Sequence, residues 1–144
     1  MTKTFDFDLP ADRFDNSIAE SGVWEPVIDE NGTKYGEFLI GLQDDSNPRH
    51  KLAKKRFNKT HATKLNGMTN FEQLVELFVE LPVLMNWRGV KAGGKDLPFS
   101  KEAAKAYLGH DKFYYVFEQL WPASHDVTRF QKPNEETADE IAGN

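Results

Sequence analysis

The stretch Thr69-Asn70-Phe71-Glu72-Gln73-Leu74-Val75-Glu76-Leu77-Phe78-Val79-Glu80-Leu81-Pro82 has the clearest periodicity in this 144-residue chain. Phe71, Leu74, Val75, Phe78 and Leu81 recur at three- and four-residue steps, which places them on one face of an α-helix. Glu72, Glu76 and Glu80 repeat every fourth residue on the opposite face. Thr69 and Glu72 stand at capping-box spacing, so hydroxyl and carboxylate can each accept from a backbone N–H that the first turn leaves unpaired. Pro82 removes a donor and clashes with the preceding turn, which predicts a kink or an end near Leu81, with residues 83–87 continuing the helix beyond the bend.

Upstream of this helix the pattern changes. Residues 23–29 and 34–42 hold Trp, Val, Ile, Tyr and Phe in short runs around Glu30-Asn31-Gly32, a hairpin signal. Phe38, Ile40 and Leu42 fall on one face of the second run, Glu37 and Leu39 on the other, and Pro26 marks the first run as an edge strand or a bulge. Ser46-Asn47-Pro48 then opens a helix to about Leu65. Its apolar strip is thin: Leu52, Ala53, Phe57, His61, Ala62 and Leu65. Arg49, Lys51, Lys54, Lys55, Arg56 and Lys59 cover most of the rest.

Downstream, residues 87–99 contain three glycines and a proline without periodicity and read as a loop. Ser100 caps a helix that Gly109 ends, Asp111 caps another over 112–121 that Pro122 ends, and a turn or two follows to Phe130. The predicted fold class is α+β, mainly α: an N-terminal β-hairpin followed by a bundle of about four to five helices. Residues 1–20 are expected to be a flexible arm, 21–130 a single globular domain, and 131–144 a disordered acidic tail.

Charge is segregated. Residues 1–45 carry 11 acidic and 3 basic residues, 46–70 carry 7 basic and none acidic, and 71–144 carry 12 acidic and 8 basic, for a net charge of -5. The basic block can meet the chain's own acids, an acidic partner or phosphates. The expected internal partners are Glu72, Glu76 and Glu80 against Lys54, Lys55 or Lys59. Nucleic acid is disfavoured, because no recognition helix follows a tight turn and the rest of the chain is acidic.

The residues also speak against catalysis. There are no cysteines, hence no disulfide, thiolate metal site or thiol nucleophile, and a reducing compartment, the cytoplasm, is the default. No run of about 18 apolar residues is present to span a membrane. His50 and His61 stand about three turns apart on one helix, too distant to share a metal, and His110 and His125 fall near helix ends. Gly89, Gly93 and Gly94 lack the Lys-Ser or Lys-Thr that closes a phosphate loop. The expectation is a binding protein, not an enzyme, with no catalytic, cofactor-binding or metal residues and no cofactor. Phe113, Tyr114, Tyr115, Phe117 and Trp121 put aromatics on more than one face of their helix, a surplus that points to a protein contact.

One region carries a recognisable signature. Trp87-Arg88-Gly89-Val90 followed by Gly94-Lys95-Asp96-Leu97-Pro98-Phe99-Ser100-Lys101-Glu102 resembles the W-x-G-V/I and G-x-x-L-P-F-S-x-E pattern of the tail assembly chaperones of long-tailed, siphovirus-type bacteriophages. A Trp-bearing strand, a hairpin and Asn47-Pro48 leading a charged helix are similar too. The chain departs from the pattern at Gly109-His110-Asp111, where the family commonly holds a proline, and at Ala142-Gly143-Asn144. The resemblance implies a protein that binds the tape measure protein, keeps it soluble, helps recruit the tail tube protein, and is absent from the mature virion. It would work in the cytoplasm of the infected bacterial host. Self-association into a ring or spiral is a further implication. The alternative is a structural head-tail adaptor or minor tail protein, and after that a nucleic-acid binder using the basic helix 48–65. The residues expected to touch protein are Phe113, Tyr114, Tyr115, Phe117, Trp121, Lys51, Lys54, Lys55 and Lys59. Trp87, Gly89, Gly94, Leu97, Pro98, Phe99 and Ser100 form the structural motif.

Overall fold

A computed structural model describes residues 4–60 and 62–132. The acidic tail expected at 131–144 lies, beyond Lys132, outside the described residues, as does His61 of the apolar strip; Ala62 is described in its backbone only.

The expected hairpin is present: β1 (Val23–Ile28) and β2 (Lys34–Ile40) pair antiparallel with Trp24 opposite Leu39 and Glu25 opposite Phe38. Gly32 takes the left-handed φ of 79° that the turn needs. The Asp29 carboxylate accepts from the backbone N–H groups of Asn31 and Thr33, which fixes the turn. The sheet does not stop at two strands. Residues 84–88, expected to prolong the helix past Pro82, form β3 (Leu84–Arg88), which pairs antiparallel with β2 in the order β1-β2-β3. Pro82 ends the helix outright, and the ladder to β2 takes up backbone groups that a helix would have satisfied internally.

Helices lie on one face of this sheet. In chain order they are α1 (Asn16–Ser21), α2 (Pro48–Thr60), α3 (Asn70–Glu80), α4 (Lys101–Leu108) and α5 (Tyr114–His125), with 3-10 turns at Ala62–Leu65, Asp111–Phe113 and Val127–Phe130. The fold is therefore mixed, mainly helical, with small antiparallel sheets. The main core joins Phe38 and Ile40 of β2, Leu84 and Trp87 of β3, Phe78 of α3, Leu108 of α4 and Leu120 of α5. Phe38 and Ile40 have no exposed surface at all. They sit at the centre because β2 is the middle strand and helices cover its inner side.

Three sequence expectations are corrected. The flexible arm expected over 1–20 does not reach residue 20, because residues 16–20 are helical: Asp15 caps α1 by accepting from the N–H groups of Ser17 and Ile18. Ala19 then packs with Leu42 and Phe130 in a second, small core. Six residues are too few for a periodic signal, so this helix depends on its tertiary contacts. Pro122 does not end α5, which runs to His125. The turn after the proline is held from outside by Gln43, whose N–H donates to the Ser124 carbonyl (2.8 Å) and whose side-chain amide donates to the Ser124 hydroxyl (2.9 Å), and from within by the Ser124 hydroxyl donating to the Trp121 carbonyl (2.7 Å). Asp111 does not cap this helix; His110 caps the preceding 3-10 turn, its Nδ1 accepting from the Lys112 N–H.

Truncation at the middle of β2 leaves a void that rigid neighbours on three sides cannot close. Phe38→Ala is expected to lower the unfolding free energy by about 3–5 kcal/mol, measured by urea denaturation; a loss under about 1 kcal/mol would show that the inner face of β2 is not the core.

Candidate functional site

The residues 87–100 fold as one closed unit. Trp87 is buried on β3, and its indole Nε1–H donates to the Leu97 carbonyl at 2.8 Å. Phe99 meets the Trp87 ring edge-on at 5.3 Å, while the Leu97 N–H donates to the Val90 carbonyl at 2.8 Å. Between these clasps, β4 (Lys91–Ala92) and β5 (Lys95–Asp96) make a minimal hairpin. Gly93 and Gly94 turn it with φ of 60° and 79°. Gly89 enters the loop at φ 82°, Pro98 is exposed, and the Ser100 hydroxyl caps α4 by accepting from the Ala103 N–H. The sequence predicted a loop over 87–99; Trp87 and Arg88 instead belong to β3, and the β4–β5 pairing was not foreseen.

The aromatic surplus on α5 is largely absorbed inside. Phe117 is buried against Phe71 and Phe78, Trp121 lies 6.0 Å from Phe78, and Phe113 stacks on Tyr107 at 4.0 Å. Tyr115 packs against Tyr35. Only Tyr114 of the five is exposed. The helix carries aromatics on several faces because it is wedged between α3, α4 and the sheet, so more than one face is interior.

The basic residues present a different picture. Lys51, Lys54, Lys55 and Lys59 all stand exposed on α2. Lys54 pairs with Asp45 at 3.0 Å; Lys51, Lys55, Arg56 and Lys59 have no acidic partner within 4.0 Å among the described residues. Leu52, expected on the buried strip, is 48% exposed and stands among these cations, while Ala53 and Phe57 turn inward. Arg49 donates to the Glu20 backbone carbonyl, tying α2 to α1. Beside α2 lies an open groove of about 330 Å³ floored by Leu52, Ala53, Phe57 and Pro82, with Arg49 and Arg56 on its walls. A second depression of about 410 Å³ brings Lys54 and Trp121 to one place with Leu77, Leu81, His50 and His125. Burial pushes the His50 imidazole below its ordinary pKa, favouring the neutral ring. Among the described residues no group of three or more His, Asp or Glu is arranged to hold a metal ion, and no helix is long and apolar enough to cross a membrane.

The glutamates of α3 do not answer the basic helix as expected. Leu74, placed on the apolar face by its spacing, is exposed, and Glu76 is buried in its stead. Lys105 of α4 reaches Glu76 at 2.9 Å and Glu80 at 2.6 Å, Lys64 reaches Glu76 at 3.0 Å, and Lys101 reaches Glu80 at 3.4 Å. Glu72 alone follows expectation, closing the capping box with Thr69. Lys105 carries no motif signal; its position four residues after Lys101, on a helix whose apolar face is Ala104, Tyr107 and Leu108, was the one available clue.

Comparison of the chain with protein-family models, with curated proteins and with solved structures gives no match.

Burial alone would push the Glu76 and Glu80 carboxyls up, but hydrogen bonds from the lysines outweigh it and hold both below 4.5, their ordinary value. Lys105 is pushed down by its own burial and raised overall by the two carboxylates. A carboxyl depressed on folding stabilises above its unfolded pKa and loses that contribution as pH falls through the folded one. Lys105→Met is therefore expected to cost about 2 kcal/mol at pH 7, less than a fully buried pair because Lys105 keeps some solvent. The gap to the wild-type chain should close as urea titrations are taken below pH 4.5, and a gap that stays constant there would exclude the ion network as its cause. Separately, Trp87→Phe, which keeps an aromatic ring at this position and removes the Nε1 donor, should cost about 1–2 kcal/mol in the same assay.

Proposed function

We propose that the chain is an assembly chaperone for the tail of a long-tailed bacteriophage, which binds the tape measure protein, keeps it soluble and helps bring tail tube subunits to it. It acts in the cytoplasm of the infected bacterial host and is left out of the finished virion. The observation that carries this reading is the unit 87–100, because the residues through which the chain resembles that family are the ones that clasp one another. Trp87 bonds to Leu97, Phe99 covers Trp87, and Ser100 starts α4.

The surface around α2 supplies a second support. Leu52, Phe57 and Pro82 offer an apolar floor with Arg49 and Arg56 beside it, and Lys51, Lys55 and Lys59 of the same helix have no acidic partner within 4.0 Å among the described residues. Such a surface suits helical client segments that carry exposed apolar side chains and acidic flanks. The work is physical: client surface is covered by contact and released when a competing tail subunit binds it more favourably.

Co-expression with the tape measure protein of the same phage is expected to move that protein from the insoluble to the soluble fraction, with the two co-purifying. A tape measure protein that stays insoluble would sink the reading. Mass spectrometry of purified virions separates it from a head-tail adaptor or minor tail protein, since a chaperone should be missing from them. A nucleic-acid-binding reading is favoured by Lys51, Lys55, Arg56 and Lys59, which have no acidic partner within 4.0 Å among the described residues. It requires a gel shift that weakens steeply with salt.

A further inference from the structure

The segment 4–12 is the one described part of the chain whose large apolar side chains all face water. Phe5 is 69% exposed, Phe7 72% and Leu9 86%. The rings of Phe5 and Phe7 stack at 5.6 Å, touching each other in place of a core. In an extended segment these three residues, two apart, share one face, with Asp6 and Asp8 between them on the other. The segment is anchored at its root, where Asp15 caps α1 and Arg13 meets Asp44 at 3.6 Å. It thus presents an acidic, aromatic peptide on a fixed base.

The groove beside α2 is its physical complement. The floor is apolar and the walls carry Arg49 and Arg56, with Lys55 and Lys59 close along the same helix. Its one acid, Glu80, is already neutralised by Lys105 and Lys101. Lengths agree as well: from Phe5 to Leu9 an extended chain covers about 13 Å, and from Arg49 to Thr60 the helix covers about 17 Å. The arm's own α2 leaves these side chains uncovered, so the matching surface belongs to another molecule.

We propose that the arm of residues 4–12 docks in the α2 groove of a second copy of the chain. Phe5, Phe7 and Leu9 face Leu52, Phe57 and Pro82 of that copy, and Asp6 and Asp8 lie at the mouth among its cations. The contact is head to tail, so each molecule gives one arm and accepts one, and assembly continues beyond a dimer until a ring closes or a filament forms. It rests on this chain alone; a client segment that enters the same groove does so by displacing the arm.

Sedimentation velocity of the purified full chain over a range of concentrations tests it. The mass should rise above that of a monomer, and added salt should weaken the association because opposite charges meet. Phe5→Ser with Phe7→Ser, and separately Leu52→Asp with Arg56→Glu, should each raise the dissociation constant about tenfold or more. All four side chains are exposed, so circular dichroism should be unchanged. Mixing the two double variants should give 1:1 dimers that grow no further, since only one intact arm and one intact groove remain per pair. Three results would overturn the proposal: a wild-type chain that stays monomeric, an arm variant that associates as tightly as wild type, or association that needs the arm but survives the groove substitutions.

Discussion

The indole of Trp87 is the piece on which the remainder of the domain is hung. It sits across from Phe38 on the neighbouring strand with rings at 90°, meets Tyr107 at 5.4 Å, and donates to the Leu97 carbonyl. One side chain therefore ties together the sheet, the loop after β3 and the helix α4. Its polar atom is what makes the arrangement specific. A purely apolar ring would fill the same volume, but it would not fix where the returning chain must pass. Once Leu97 is fixed, Phe99 and Ser100 fall into place and α4 begins at a defined residue, which in turn sets Lys105 opposite Glu76.

That placement explains the electrostatics. Glu76 and Glu80 of α3 are satisfied by α4 and by Lys64, not by α2, so among the described residues the most basic helix has an acidic partner within 4.0 Å only at Lys54. The cost of burying Glu76 is offset by two lysine contacts. Across the sheet's outer face a smaller device works the same way: Arg88 bonds to Glu37 at 2.8 Å and lies 4.1 Å over the Trp24 ring. The buried carboxylate is paired, whereas among the described residues Lys51, Lys55, Arg56 and Lys59 of α2 have no acidic partner within 4.0 Å.

Local chemistry was readable and long-range pairing was not. The Asn31-Gly32 turn, the Thr69–Glu72 box, the Ser100 cap and the Gly109 stop are each decided by a few adjacent residues, and each stands where the sequence put it. Residues 83–87 are short and apolar except for Asn86, compatible with either period, and 84–87 became strand because β2 offers a free edge more than forty residues away. Pro122 misled because the hydrogen bonds that carry the chain past it come from Gln43. The aromatics of α5 misled for a related reason: spacing counts faces, but only the assembled fold says how many of them are interior. Exposure of Leu52 and burial of Glu76 follow from small rotations of α2 and α3 that no periodic template resolves.

The small core of Ala19, Leu42 and Phe130 brings the two ends of the domain together, with the Asp15 N–H donating to the Phe130 carbonyl and Gln131 donating to the Arg13 carbonyl. Such a closure spans nearly the whole chain, so its loop entropy is the largest of any contact in the fold and it is expected to form last. On a ribosome the turn at Val127–Phe130 leaves the exit tunnel after everything it must meet. Until then α1 leans only on Leu42 and Arg49, and the root of the arm lacks its bonds to Phe130 and Gln131. The order of synthesis thereby acts as a timer: the root of the arm gains its last contacts only when its own domain is complete.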